Sequence, residues 1–394
     1  MSRPENSEAD IMVQHRLHLN VTEKCNIRCV HCYWQEYGKN PDPSLQTIGE
    51  ILDQFKQLTD SYYENGRHML TLGGGEPTLR ADLEDIVQLS VRRGFRVRLV
   101  TNAVSLDEKR AVSLRKSGLE LVQVSLDGAS EETHDRVRGK GNWRRAMAGI
   151  GALKKARLFT VLSYVLLPGI NLEEAPYLLD LARTLKIAGV KFARPVREGQ
   201  AALHGIRVDG DYLGTFRRIL DRANAIRYKR LLLFFDPLAH LLPLQEPRKV
   251  SGLWGLATDL CQCNNTELVE VNGSSGDVYY CRVRAKLGNL WQQPLSELWH
   301  HHGLLNQIRR KTPEGSCREC KVWNACRGGC PAVVHGNTGQ ILLQDADCSA
   351  VQQQPAPVVF SNLGHANPRA LSNEEKIRQA GRRVKDGVYQ LWLK

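Results

Sequence analysis

The chain has 394 residues, 42% of them hydrophobic and 24% charged, which excludes a disordered or fibrous protein and allows one large domain plus a smaller one. Its 54 Lys and Arg exceed its 42 Asp and Glu by 12, an excess that suits an acidic partner or a solvated basic surface. The N-terminus, MSRPENSEADIMVQHR, lacks the apolar core of a signal peptide, and no stretch approaches the length of a membrane span. A cytoplasmic location with reduced thiols is therefore expected, so eleven cysteines argue for metal rather than disulfides.

Residues 1–15 read as a flexible N-terminus. RLHLNV (16–21) has a strand pattern, and residues 44–63 form an amphipathic helix with a Ser start. HMLTLGG is a strand, and residues 79–94 are a helix with a Gly stop. The same unit recurs in FRVRLVTN with SLDEKRAVSLRKSG, and in LELVQVSLDG with NWRRAMAGIGALKKA. FTVLSYVLL precedes NLEEAPYLLDLARTLKIAG, and VKFARP precedes DYLGTFRRILDRANAIRYK. Six strand-then-helix units demand a parallel sheet with right-handed crossovers. The predicted fold is α/β, a partial (β/α)6 TIM-like barrel over residues 16–239, with ligands beyond the C-terminal ends of its strands. Residues 240–260 read as a bridging region and 261–350 as a small cysteine-rich domain organised around metal. Residues 351–394 are a tail ending in a basic helix, with Ser372 and Glu375 as a capping box. That helix is expected to be solvated and packed on the barrel.

Directly after the first strand comes CNIRCVHC, with Cys25, Cys29 and Cys32 in a Cys-x3-Cys-x2-Cys spacing. Three thiolates this close can ligate one [4Fe–4S] cluster and leave its fourth iron without a protein ligand. A zinc site completed by His31 is the alternative. This spacing, and the Tyr33 that follows, resemble the radical S-adenosylmethionine (radical SAM) superfamily. LGGGEPTL at the end of the second strand resembles the superfamily's glycine-rich motif. There Gly74 and Gly75 would let backbone approach the methionine moiety, and Glu76 and Pro77 would complete the lip.

By the same resemblance, Ser125 in VSLDG would contact the ribose hydroxyls. Arg138 in HDRVRG would pair with the methionine carboxylate, a match of fork to carboxylate. Thr101, Asn102 and Arg194 end the third and sixth strands and are expected at the same mouth. The implied chemistry is reductive cleavage of the sulfonium to a 5′-deoxyadenosyl radical, which abstracts hydrogen from an unactivated C–H.

The other eight cysteines are Cys261, Cys263, Cys281, Cys317, Cys320, Cys326, Cys330 and Cys348. Cys263-x12-Gly276-x4-Cys281, then Cys317-x2-Cys320-x5-Cys326-x3-Cys330 and a later Cys348, closely resemble the signature of the SPASM domain. That domain appends two auxiliary [4Fe–4S] clusters. The resemblance implies one cluster on Cys281, Cys330, Cys263 and Cys261, and the other on Cys317, Cys320, Cys326 and Cys348. Three ligands for an open cluster and four for each closed one use all eleven thiols, so three [4Fe–4S] clusters and S-adenosylmethionine are the expected cofactors. The tight Cys261-x-Cys263 spacing leaves one of that pair as a possible spare. Zinc-ribbon chemistry is the alternative, and thiolate-only sites beside a redox domain favour iron–sulfur.

Enzymes with this layout mostly act on peptides. The expected reaction is hydrogen abstraction from a ribosomally made precursor peptide, acidic by charge, installing a side-chain cross-link. Only fifteen residues precede the first strand, so a separate leader-peptide-binding protein is expected. A flavodoxin or ferredoxin would supply low-potential electrons. Neither membrane nor nucleic acid is expected as a partner. Arg282 stands after Cys281, where sulfatase-maturing relatives place an Asp, which speaks against that activity. The alternatives are oxidation of a tetrapyrrole, or a non-catalytic zinc or nucleic-acid-binding protein. Asp236, His240, Asp277, Tyr279 and Tyr280 are near enough to meet substrate, but none is assigned as catalytic acid or base.

Overall fold

The computed structural model describes residues 16–34, 37–60, 68–226, 231–236, 238, 253–257, 268–281, 285–314, 317–320, 323–343, 345 and 347–348. Cys261, Cys263, Arg282, His240 and the tail with Ser372 and Glu375 lie outside these residues.

Eleven strands form one sheet: β1 (Arg16–Thr22), β2 (Met69–Gly74), β3 (Arg96–Thr101), β4 (Leu121–Ser125), β5 (Phe159–Val165), β6 (Gly189–Ala193), β7 (Leu231–Phe234), β8 (Leu253–Ala257), β9 (Leu268–Asn272), β10 (Asp277–Tyr280) and β11 (Lys286–Asn289). Their order is β11-β10-β9-β1-β2-β3-β4-β5-β6-β7-β8. Strands β1 to β8 run parallel to their neighbours. β9 joins β1 in parallel on its free side, and β10 and β11 continue antiparallel. The expected open parallel array is present, and it is longer than the six units read from sequence. LLLF supplies a seventh strand, and the bridging region 240–260 supplies an eighth. Helices Leu45–Asp60, Leu83–Arg92, Glu108–Lys116, Asn142–Lys155 and Tyr212–Ile226 lie between successive strands as expected. The fifth crossover helix starts late, at Leu178, behind a short turn that holds Pro176, because proline suits a helix start and not its interior.

The two faces of the sheet differ in chemistry. Leu17, Leu19, Leu70, Leu72, Val97, Leu99, Leu162, Phe192 and Leu233 share one core with helix residues such as Ile48, Phe55, Ile86 and Phe216. On the opposite face stand His18, Asn20, Thr71, Gln123, Ser163, Glu270 and Asn272, nearly all buried. Leu121, Phe159, Val161, Leu232 and Phe234 line only one stretch of it. Buried polar groups need partners, and Asn20 Nδ2 finds Glu270 Oε1 at 2.8 Å across β1 and β9. Strands β9 to β11, from the cysteine-rich region 261–350, thus continue the sheet beyond β1. No helix among the described residues is long and apolar enough to cross a membrane.

Phe192 is fully buried, stacks on Phe235 at 5.8 Å and meets Tyr164 at 5.8 Å. Phe192→Ala should therefore cost about 3–5 kcal/mol, read as a lower urea midpoint; a midpoint equal to the parent's would refute this packing.

Candidate functional site

The loop after β1 carries Cys25, Cys29 and Cys32, half-buried at the C-terminal end of the sheet and not in disulfides. Backbone hydrogen bonds lace it to several strand ends. Gly75 N donates to Thr22 O at 2.8 Å, and Glu76 N to Lys24 O at 2.7 Å. Val30 N donates to Val137 O at 3.1 Å, and Gln200 N to Cys32 O at 2.7 Å. From β3's end Asn102 Nδ2 reaches Asn26 Oδ1 at 2.8 Å.

The glycines of the GGGEP lip serve this lacing directly. A Cβ on Gly74 would stand 2.2 Å from Thr22 O, and one on Gly75 would stand 2.1 Å from Lys24 O. Only a residue without Cβ lets the two backbones meet. Their observed duty is close contact with the cysteine loop, in addition to the ligand approach expected of them. Glu76 is buried and accepts from Thr78 N (3.1 Å), Thr78 Oγ1 (2.6 Å), Thr101 Oγ1 (2.6 Å) and Asn102 N (2.7 Å). Burial raises its pKa against these four bonds, which lower it. Thr101 Oγ1 and Asn102 N thus support Glu76, while the Asn102 side chain reaches the cysteine loop. Pro77 is buried and starts the turn that Glu76 caps.

Arg138 ends the helix Glu131–Arg138, which Ser130 caps through Thr133 N. It is buried, with Nε 2.6 Å from Asp127 Oδ2 and Nη1 3.6 Å from Cys29 Sγ. Asp127 is fully buried just beyond β4. It also takes Val165 N at 2.8 Å, and His31 Nε2 lies 3.3 Å from its Oδ2. Burial opposes the charge of Asp127, yet the Arg138 guanidinium, with the Val165 N–H, holds its pKa below the ordinary value. His31, lowered to about 4 by burial, stays neutral. Asp127 is the organiser that sequence reasoning left without a role. The available signal was an acid at a strand end, eleven residues ahead of a helix-terminal Arg. His31 meets Asp127 through Nε2, and its Nδ1 is buried without a hydrogen-bond partner.

Burial pushes the Cys29 thiol up to about 12, with Cys32 and Cys25 adding to the rise; Cys25 is raised by burial and by Cys32 among others. The Tyr37 hydroxyl is buried beside the loop, and burial raises its pKa, with Cys32, Cys29 and Cys25 adding to the rise. Three mutually interacting thiols on one short loop, with a phenol beside them, fit a bound metal–sulfur group, whose cations would deprotonate the thiols outright. Tyr33 sits beside Trp34 at 5.8 Å, and its carbonyl is pressed by Gly199. Ser125 is half-buried at β4's end, register-paired with Ser163.

In the C-terminal part, Cys317, Cys320, Cys326 and Cys348 come together. Burial lifts Cys326 to about 12 with Cys348 contributing, and Cys348 to about 11 with Cys317 and Cys320 contributing. This is the foursome expected for one auxiliary cluster. Cys281 and Cys330 are buried elsewhere in the same region, Cys281 at the end of β10 with φ 55°. Among the described residues, no three His, Cys, Asp or Glu side chains are arranged for a single metal ion. Asp277 is held by Asn289 Nδ2 (2.8 Å) and Lys286 Nζ (2.6 Å), Tyr280 is fully buried, and Asp236 lies on Arg194.

Residues 19–182 match the Radical SAM superfamily, and residues 262–321 match the SPASM iron–sulfur cluster-binding domain. The mycofactocin maturase MftC of Mycolicibacterium smegmatis is 29% identical over 79% of this chain and 76% of its own. The AdoMet-dependent heme synthase of Methanosarcina barkeri is 28% identical over 83% of this chain and 94% of its own. The crystal structure of Streptococcus suis SuiB bound to S-adenosylmethionine superposes with a TM-score of 0.64, at 18% identity, over 86% of this chain and 77% of that one.

Asp127→Ala should destabilise by about 3–5 kcal/mol, because it strands a buried guanidinium, whereas Asp127→Leu combined with Arg138→Met should recover most of that loss. Urea unfolding of Asp127→Ala, Asp127→Leu, Arg138→Met and the Asp127→Leu/Arg138→Met pair checks this; additive losses in the pair would show that the two side chains do not act together.

Proposed function

Since the chain belongs to the radical SAM superfamily, carries a SPASM domain and is thus a radical SAM enzyme, we propose that it abstracts hydrogen from a precursor peptide to install a side-chain cross-link. S-adenosylmethionine and [4Fe–4S] clusters, auxiliary ones included, are its cofactors. The non-catalytic zinc or nucleic-acid alternative falls with that membership. The observation that carries the radical chemistry is the three-thiol loop at the sheet's C-terminal end, tied to a glycine lip.

When bound, a cluster with an open iron supplies the electron that splits S-adenosylmethionine into methionine and a hydrogen-abstracting 5′-deoxyadenosyl radical. Cys25, Cys29 and Cys32 would hold that cluster. Arg138 would take the methionine carboxylate with the donors that Asp127 and Cys29 do not use. Asp127 keeps the guanidinium in place, Ser125 would meet the ribose, and the Gly74–Gly75 lip with Glu76 and Pro77 holds the loop rigid around the cosubstrate. Tyr33 would flank the same pocket. Two auxiliary clusters would sit on Cys317, Cys320, Cys326 and Cys348, and on Cys281, Cys330, Cys263 and Cys261. They would accept the electron left when the cross-link forms.

Peptide chemistry is favoured by the likeness to mycofactocin maturases and to the PqqA peptide cyclase of Ruegeria pomeroyi, 27% identical over 84% of this chain. The net charge of +12 suits an acidic peptide. A tetrapyrrole is the second reading, favoured by the match over 94% of the Methanosarcina barkeri heme synthase. Incubating reduced enzyme with short peptides encoded nearby, and separately with iron-bound tetrapyrroles, decides between them. Loss of a hydrogen pair from a peptide supports the cross-link, and turnover of the macrocycle alone rejects it.

Oxygen-free reconstitution should give about twelve irons per chain. Changing Cys25, Cys29 and Cys32 together to Ala should remove about a third of that iron and all S-adenosylmethionine cleavage; persisting cleavage would reject the site. Arg138→Ala should weaken S-adenosylmethionine binding about tenfold with iron unchanged, measured by equilibrium dialysis.

A further inference from the structure

Residues 194–201, which follow β6, touch both cysteine regions at once. At their start Arg194 is buried, and three carboxylates share its guanidinium. Nε and Nη2 reach Asp236 Oδ1 at 3.1 and 2.8 Å. Nη1 reaches Asp345 Oδ1 at 3.0 Å and Asp347 Oδ2 at 2.6 Å, and Nη2 reaches Asp345 Oδ2 at 2.5 Å. Asp345 in turn donates its N–H to Gly328 O at 3.0 Å and accepts from Cys348 N at 3.1 Å. A Cβ on Gly329 would lie 2.3 Å from its carboxylate. One arginine thus supports both the turn between Cys326 and Cys330 and the turn that ends in Cys348.

Further along, Glu198 Oε1 pairs with His335 Nδ1 at 2.8 Å, on the helix Pro331–Thr338. Gly336 packs so closely that a Cβ would stand 2.9 Å from Arg197 N. At the far end Gln200 and Ala201 donate to Cys32 O at 2.7 and 3.3 Å. Gly199, at φ 58°, has no room for a Cβ, which would fall 2.2 Å from Tyr33 O. A short segment pinned at both ends by buried bonds cannot shift one end while the other stays still, since close-packed contacts transmit displacement.

We propose that residues 194–201 are a tie that keeps the Cys25–Cys32 loop in register with the auxiliary-cluster turns, with Arg194 as its positioning residue. Loosening the auxiliary end is then felt at Cys32 as weaker S-adenosylmethionine binding. The proposal rests on the cluster assignments above, and it adds a coupling between sites that those assignments do not require.

Two variants test it without touching a thiol or Cys32. Arg194→Lys keeps the charge but loses the fork that three carboxylates share, and Glu198→Gln removes the charge facing His335. The full reconstituted chain is assayed for iron, for equilibrium binding of S-adenosylmethionine, and for the paramagnetic resonance of the reduced first cluster with S-adenosylmethionine present. Each variant should bind about five- to tenfold more weakly with a shifted first-cluster signal. Together they should lose less than the product of the single effects, because both slacken one tie. If Arg194→Lys fails to fold, Glu198→Gln decides alone. Affinity within about twofold of the parent and an unmoved signal would overturn the tie, even where auxiliary iron is lost, since that would be local support only. A parent chain that neither binds nor cleaves S-adenosylmethionine would instead sink the radical site itself.

Discussion

The mouth of this sheet depends on holding one short loop in place, chiefly by backbone hydrogen bonds. Three thiols can face a common centre only if the chain between them neither collapses nor drifts, and no disulfide restrains the described cysteines. The loop is fastened instead by N–H to carbonyl bonds from the GGGEP lip, from the end of the helix Glu131–Arg138 and from the segment after β6. Each such bond contributes about 1 kcal/mol net, so no single one suffices. Their strength lies in arriving from different strand ends, which leaves the loop no direction in which to move cheaply.

The same economy explains the chemistry of the two sheet faces. The helix-covered face is dry and aliphatic, and it fixes the strands relative to one another. The opposite face carries buried Asn, Thr, Gln, Ser and Glu side chains, which a sheet face tolerates only where partners or a polar ligand await them. A sheet buried on both faces ordinarily reads as continuous apolar runs. Here β1 alternates Leu17, Leu19 and Val21 with His18, Asn20 and Thr22, and that alternation marks a second face built for something other than apolar packing.

Much of this was legible in the residues themselves. Strand–helix alternation announced the parallel sheet, and the cysteine spacings announced two kinds of thiol group, one of which the structure gathers as a foursome. What stayed hidden depended on contacts distant in sequence. The pairing of β9 with β1 joins residues about 250 apart and leaves no local mark. LLLF was too short, and the bridging region too irregular in composition, to declare strands. Asp127 looked like an ordinary turn acid after a strand, because nothing in SLDG reveals that it will be fully buried against Arg138. The lip glycines were assigned to ligand approach, and only the position of Thr22 and Lys24 carbonyls shows what a Cβ there would strike.

Two arginines at strand ends illustrate why residue type and place do not settle a role. Both Arg138 and Arg194 are buried beside thiols and carboxylates, and both were expected at the mouth. A guanidinium has five N–H donors. Arg194 makes five bonds, to Asp236, Asp345 and Asp347, and so is saturated by the protein itself. Arg138 spends Nε on Asp127 and Nη1 on Cys29, which among the described residues accounts for two of its five. An external carboxylate needs two donors side by side. On that count Arg138 can serve a ligand while Arg194 can serve only the fold, and the difference lies in how many acids the chain places around each.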